Sequence, residues 1–251
     1  MGIVTILPET TINPITLIGE RAGVCWGADT SDPEKNYKRG WDCITSGHGR
    51  TMEFVNVEMV LDGYSARVIR EWYTHIGGAP TRLQASTRYI DYGDFEYIMP
   101  PDIEKDCVVY DVYRTCMETI RESVQWLEEH GVKREDTAML LPLGMTTRVV
   151  DKRNLRNLVD MSHTRECVRA YWEFREMFSD IKDALCLYSD EWARVIAKTF
   201  EPKCAALGYC PEKHGCGKYP MGQNKQKTSA GERAAAEAND VMMTLIGGGE
   251  Q

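Results

Sequence analysis

Residues 71–100 read EWYTHIGGAPTRLQASTRYIDYGDFEYIMP. The stretch begins on the last turns of a helix expected from about Ser65 to His75. Val68, Ile69, Trp72 and Tyr73 share one side of it, and Gly77-Gly78 supplies the left-handed residues that close a helix. Residues 77–85 then read as a loop around Pro80. Gln84-Ala85-Ser86-Thr87-Arg88 packs an amide, two hydroxyls and a guanidinium into five residues. Hydroxyl and backbone N–H donors beside a fixed positive charge suit a phosphate, because charge-assisted contacts are the strong ones. Phe95–Met99 reads as a strand ended by Pro100-Pro101.

Working outward, Met52–Leu61 is a strand with Val55, Val57, Met59 and Leu61 on one face and Asn56 and Glu58 on the other. Ile3–Leu7 is a short opening strand. Helices are expected over Ile15–Cys25 and Lys35–Ser46, the second stopped by Gly47. Beyond the central stretch the periodicity is helical: about Ile103–Glu129, Val132–Leu140, and the longest region, Lys152–Leu187, whose later half carries Tyr171, Phe174, Phe178, Ile181 and Leu185. Trp72 and Trp172 are expected in the core. This order predicts an α+β fold, a small antiparallel sheet packed with long helices. One domain over 1–220 is expected, with 221–251 a flexible tail holding one transient helix around Glu232–Asp240.

Composition narrows the function. Among 251 residues, 30 Lys+Arg face 38 Asp+Glu, a net charge of −8, which argues against a general nucleic-acid coat. No apolar run is long enough for a membrane span, and MGIVTILPETT lacks a basic stretch before an apolar one. A cytoplasmic location with reduced thiols is expected. Against the acidic average, segments 64–89 and 148–169 each net +3. Arg165 and Arg169 are four apart on a helix, so an acid or a bound anion belongs beside them. Glu173 is one source; a phosphate or carboxylate ligand is another. Surface solvation or pairing within the subunit is the simpler alternative for all these arginines.

Several elements in order then resemble the flavin-dependent thymidylate synthases. Gly47-His48 followed by Glu53 resembles that family's Gly-His-x-x-x-x-Glu element. Glu71-Trp72-Tyr73-Thr74-His75-Ile76 and Ser86-Thr87-Arg88-Tyr89 resemble its Arg-His-Arg and Ser-x-Arg-Tyr signature. Leu141-Pro142, Asn154-Leu155-Arg156-Asn157-Leu158, and Arg165 ahead of Arg169-Ala170-Tyr171-Trp172-Glu173-Phe174-Arg175 resemble its C-terminal elements. The departures are Thr74 and Ile76 in place of both signature arginines, Leu83-Gln84 for an Asn-Glu pair, Ala138 for an arginine, and Asp160 for an asparagine. Arg82 is a candidate replacement for the lost positive charge.

The resemblance implies a homotetramer with active sites between subunits, FAD as cofactor, NADPH and methylenetetrahydrofolate as co-substrates, and methylation of dUMP at C5. Carried over by position, Gln84, Ser86, Thr87 and Arg88 hold the nucleotide phosphate, and Arg165 is the catalytic contact to a uracil carbonyl. Glu71 stands where the family has a nucleotide-contacting glutamine. His48, Arg50, Glu53, His75, Asn154, Arg156, Asp160 and Arg169 surround FAD or folate. Taken alone, His48 and His75 are ordinary helix-end residues and Asn154 an ordinary N-cap. The rival functions are methylation or hydroxymethylation of another pyrimidine nucleotide such as UMP, nucleotide binding without flavin, and flavin reduction without folate chemistry.

Nine cysteines complete the reading. Cys204, Cys210 and Cys216 stand five residues apart among glycines and Pro211, and Cys167 lies on the long helix. Turn-borne thiolates suit tetrahedral zinc, so these four form one expected structural zinc site, with unligated thiols or a disulfide as alternatives.

Overall fold

The computed structural model describes residues 2–222. The elements are β1 (Ile3–Ile6), α1 (Pro14–Gly23), α2 (Pro33–Thr45), β2 (Asn56–Ser65), α3 (Ala66–Trp72), β3 (Thr81–Gln84), α4 (Pro101–Glu104), α5 (Cys107–Glu129), α6 (Arg134–Thr137), β4 (Thr146–Asn154), α7 (Leu155–Arg165), α8 (Trp172–Tyr188), α9 (Asp190–Thr199) and α10 (Lys203–Leu207). The described chain divides into two compact units between Ala206 and Leu207. The expected tail beyond 222, with its helix around Glu232–Asp240, lies outside the described residues.

The first unit is α+β. Its sheet is antiparallel throughout, in the order β1-β2-β4-β3. Val57, Met59 and Leu61 of β2 and Val149 of β4 are fully buried, and join a core with Ile15, Ile18, Ile69, Trp72, Leu155, Leu158, Phe174, Phe178 and Trp192 from the helices. Outward along the same strands, Glu58 pairs with Lys152 at 2.8 Å. The helices α1 and α2 cross with their backbones in contact. A Cβ at Gly19 would overlap the Asn36 carbonyl, and one at Gly40 the Ile15 carbonyl.

Met52–Phe54, expected in the strand, belongs to a 3₁₀ segment before β2, and the helix expected over Val132–Leu140 is α6 followed by a 3₁₀ turn; four further expectations change more. The loop 77–85 contains β3, an edge strand. An edge needs no apolar alternation: Leu83 is exposed, while Arg82 sits opposite Asp151. Phe95–Met99 is not a strand. Only Tyr97 bridges to Met145, and Phe95 packs into a small second core with Met117 and Met145. The helix from Ile103 breaks before Asp106, whose carboxylate caps α5 by accepting from the N–H groups of Val108 and Val109 at 2.8 and 3.2 Å.

The fourth change is the largest. Lys152–Leu187 is not one helical region: its start belongs to β4, and α7 and α8 are separate helices. Thr147, Val149, Asp151 and Arg153 are buried while Arg148, Val150 and Lys152 are exposed, the two-residue period of a strand. Two of the four inward positions are charged, which disguised that period. They pair with each other, Arg153 Nε to Asp151 Oδ1 at 2.6 Å and Nη2 to Oδ2 at 2.7 Å. Trp72 Nε1 also donates to Asp151 (2.9 Å), and the Arg153 guanidinium lies 3.9 Å from the Trp72 ring centre. Trp72 is core as expected; Trp172 is only half-buried.

In the second unit, Cys210 N–H donates to Pro220 O at 2.7 Å and Gly222 N–H returns to Cys210 O at 2.9 Å, closing a short loop. Among the described residues no group of three or more His, Cys, Asp or Glu side chains is arranged to hold a metal ion, and all nine cysteines are outside disulfides. The zinc expectation for Cys167, Cys204, Cys210 and Cys216 therefore has no support in this arrangement. No helix among the described residues is long and apolar enough to cross a membrane.

Candidate active site

Arg165 is the last residue of α7. Its Nε donates to His75 Nε2 at 2.9 Å and its Nη1 to Glu71 Oε2 at 2.9 Å. The guanidinium lies over the Phe174 ring, 4.5 Å from its centre, and the His75 ring meets the same phenylalanine edge-on. Three segments separated by up to 94 residues thus converge on one cation. The acid expected beside Arg165 is Glu71, not Glu173. Glu173 is buried, and both its oxygens accept from Ser65: the N–H at 2.7 Å and the hydroxyl at 2.5 Å. Ser65 Oγ in turn accepts from Val68 N–H and caps α3, the helix that carries Glu71.

Burial, reinforced by the guanidinium groups of Arg165 and Arg153, depresses the His75 pKa from 6.5 to about 4. The ring is neutral at physiological pH. Since Nε2 accepts from Arg165, its proton is on Nδ1. His75 and Glu71, expected against flavin and nucleotide, are both engaged with Arg165. Nearby, burial and then the Glu173 carboxylate push the Tyr171 phenol up to about 12, with Arg67 over its ring at 4.6 Å.

A second group forms around residues 49–54, a short 3₁₀ segment after His48. Arg156 Nη1 donates to Glu53 Oε1 at 2.5 Å, across 103 residues. The Arg156 guanidinium lies close to Gly49: a Cβ there would stand 3.5 Å from Arg156 Nε, in ordinary contact. His48 and Arg50 are exposed on the same segment. Asn154 caps α7, its Oδ1 accepting from Asn157 N–H at 2.9 Å, and its amide packs against Gly78. The positive end of α7, Arg156, Arg50 and His48 make a donor set of the kind a diphosphate takes, so the residues fit the FAD diphosphate by their chemistry. Asp160 lies exposed one turn beyond Arg156, and Arg169 is exposed past α7.

The Ser86 element follows β3 directly. Gln84 Nε2 donates to Thr147 Oγ1 at 3.3 Å, Arg88 N–H to Ser86 Oγ at 3.2 Å, and Arg88 Nε to Glu135 Oε2 of α6 at 3.2 Å. Thr87 is half-buried in the same turn. These residues make their bonds within the loop, to β4 and to α6. Sequence reasoning missed Asp151, Arg153 and the Phe174 floor under Arg165. The signal for the first two was the alternation from Thr147 to Arg153.

The Arg165 guanidinium at the C-terminal end of α7 and the Arg156 guanidinium at its N-terminal end are groups of the kind that bind anionic, hydrogen-bonding small molecules. Residues 7–186 match the family described as thymidylate synthase complementing protein, and the chain belongs to that family. It is similar to proteins named flavin-dependent thymidylate synthase. With that of Nitratidesulfovibrio vulgaris it is 30% identical over 194 residues, 72% of this chain and 76% of the relative. With that of Clostridium tetani it is 28% identical over 246 residues, 87% and 94% of the two chains. With that of Pyrococcus furiosus it is 30% identical over 196 residues, 73% and 75%.

Proposed function

We propose that the protein is a flavin-dependent thymidylate synthase: it methylates dUMP at C5 to give dTMP, with methylenetetrahydrofolate as carbon donor and NADPH as reductant. The observation that carries this reading is the meeting of Arg165 with Glu71 and His75, which brings together two motif regions about ninety residues apart. Family membership and the names of the relatives support it.

Uracil C5 is a weak nucleophile, so the reaction needs a polarised ring and a delivered carbon and hydride. FAD, when bound, supplies the hydride chemistry. The chain's own task is to bind and orient. Ser86, Thr87, Arg88 and Gln84 hold the phosphate, with Arg88 exchanging Glu135 for the ligand. Arg165 donates to a uracil carbonyl, where negative charge develops. His48, Arg50, Glu53, Asn154 and Arg156 take the flavin, with Asp160 and Arg169 at its margin. The absence of a cysteine from 84–88 accords with a route that needs no thiol added to the ring.

Self-association as a homotetramer belongs to the same reading. Along α5, Val108 and Val112 are 68% and 61% exposed and Cys116 is exposed one turn on, an uncovered apolar stripe that a second copy would bury. We place the catalytic domain within residues 1–220 and the reaction in the cytoplasm. The deciding experiment is mass spectrometry of the nucleotide after incubation with dUMP, methylenetetrahydrofolate, FAD and NADPH. A product heavier by one methylene supports the reading. NADPH oxidation with unchanged dUMP, or a protein that cannot be loaded with FAD, sinks it.

A further inference from the structure

We propose, given the assignment of Arg165 to the uracil carbonyl, that Glu71 and His75 are positioning residues which aim the Arg165 guanidinium at the substrate ring. An arginine side chain on its own is loose, with rotamer entropy of roughly 2 kcal/mol to lose on being fixed. Here three contacts restrict it. His75 accepts a hydrogen bond from Nε–H, Glu71 accepts one from Nη1–H, and the Phe174 ring centre lies 4.5 Å from the guanidinium carbon. The two hydrogen bonds set the position and in-plane rotation of the group, and the ring limits its movement to one side. Two of its five N–H donors are used, and Nη2 donates to no acceptor among the described residues. Three N–H donors remain for a ligand, one on Nη1 and both on Nη2.

The two partners contribute differently. Glu71 is a carboxylate 30% exposed, paired with a guanidinium 21% exposed, so it balances charge as well as holding position. His75 contributes a lone pair only. It can do so only while unprotonated, and its partial burial, with the Arg165 guanidinium bonded to it and the Arg153 charge adding to the effect, keeps it so. A protonated ring would turn Nε2 from acceptor to donor and push Arg165 away.

The test uses the full-length, flavin-loaded protein with the variants His75→Ala, His75→Gln, Glu71→Ala and Glu71→Gln. Readouts are kcat, KM for dUMP, flavin absorbance, thermal midpoint, and dUMP affinity by calorimetry. Misaimed catalytic groups cost on the order of 10²-fold in rate. His75→Ala and Glu71→Ala are expected to lower kcat by about that factor with flavin retained, and to shift KM by only about three-fold. The glutamine variants, whose amide oxygen can still accept from Arg165, are expected to recover most of the loss. A kcat within two-fold of wild type in both alanine variants overturns the proposal. So does a loss of kcat that follows the thermal midpoint and is not rescued by His75→Gln. If the wild type binds dUMP but makes no dTMP, the catalytic reading fails by itself. Positioning is then decided by affinity: weaker in the alanine variants and restored by glutamine supports it, unchanged overturns it. A wild type that does not bind dUMP overturns both.

Discussion

Asp151 and Arg153 stand two residues apart on β4, point to the same face, and form a two-bonded ion pair with neither side chain exposed at all. Arg153 reaches on to Asn157 Oδ1 at 2.6 Å, so the pair ties the sheet to α7 and, through Trp72, to α3. Removing one partner leaves the other charged in the core. Asp151→Ala is expected to cost about 3–5 kcal/mol in urea denaturation. The double replacement Asp151→Leu with Arg153→Leu should cost much less than the sum of the two singles. Additive losses would mean that the pair is not coupled.

The same core makes stability depend on His75. Its folded pKa of about 4 lies below the ordinary 6.5, so between those values the unfolded chain binds the extra proton. The contribution is intact above pH 6.5 and declines as pH falls toward 4. Carboxylates add their own losses lower down, so the informative window is pH 6.5 to 5. There the thermal midpoint of the wild type should fall more steeply than that of His75→Gln. Equal slopes would show that the ring is not held neutral by the fold.

Flavin affinity should depend on Arg156 more than on Asn154. Arg156 carries an exposed charge near Gly49, whereas Asn154 is occupied in capping α7. Arg156→Ala is expected to weaken FAD binding about ten-fold, or roughly 1.4 kcal/mol, by fluorescence titration. Asn154→Ala should instead lower stability by about 1 kcal/mol through the lost cap. The reverse pattern would reassign the two residues.

Gly40 allows α2 to touch α1. Gly40→Ala drives a methyl into the Ile15 carbonyl, which is backbone and cannot swing aside. A loss of about 3 kcal/mol is expected, at the upper end for overpacking. Gly27, which has a left-handed backbone but open space around it, is a poorer control than an exposed helical site such as Lys38. Lys38→Ala should be nearly neutral. If Gly40→Ala is also neutral, the crossing is looser than this.

Much of the architecture was legible in the chain, because β2, α1, α3 and the later half of α8 bury ordinary apolar faces, and such faces print their period directly. The motif positions Glu71, His75 and Arg165 were legible too, as residues in order along the chain. What the chain could not display was β4, since a strand whose buried face carries Asp151 and Arg153 looks polar until the two charges are seen to neutralise each other. Nor could it display β3, an edge strand with little apolar surface to hide. The partners at the site were set by contact. Glu173 lies four residues from Arg169, yet it is claimed by Ser65 from 108 residues away; Glu71 and His75 meet Arg165 only because α3 and α7 pack on the same core. Local pattern determines which face of an element is buried. Which buried or half-buried charges become partners depends on distances across the fold, and those exist only once the chain has closed on itself.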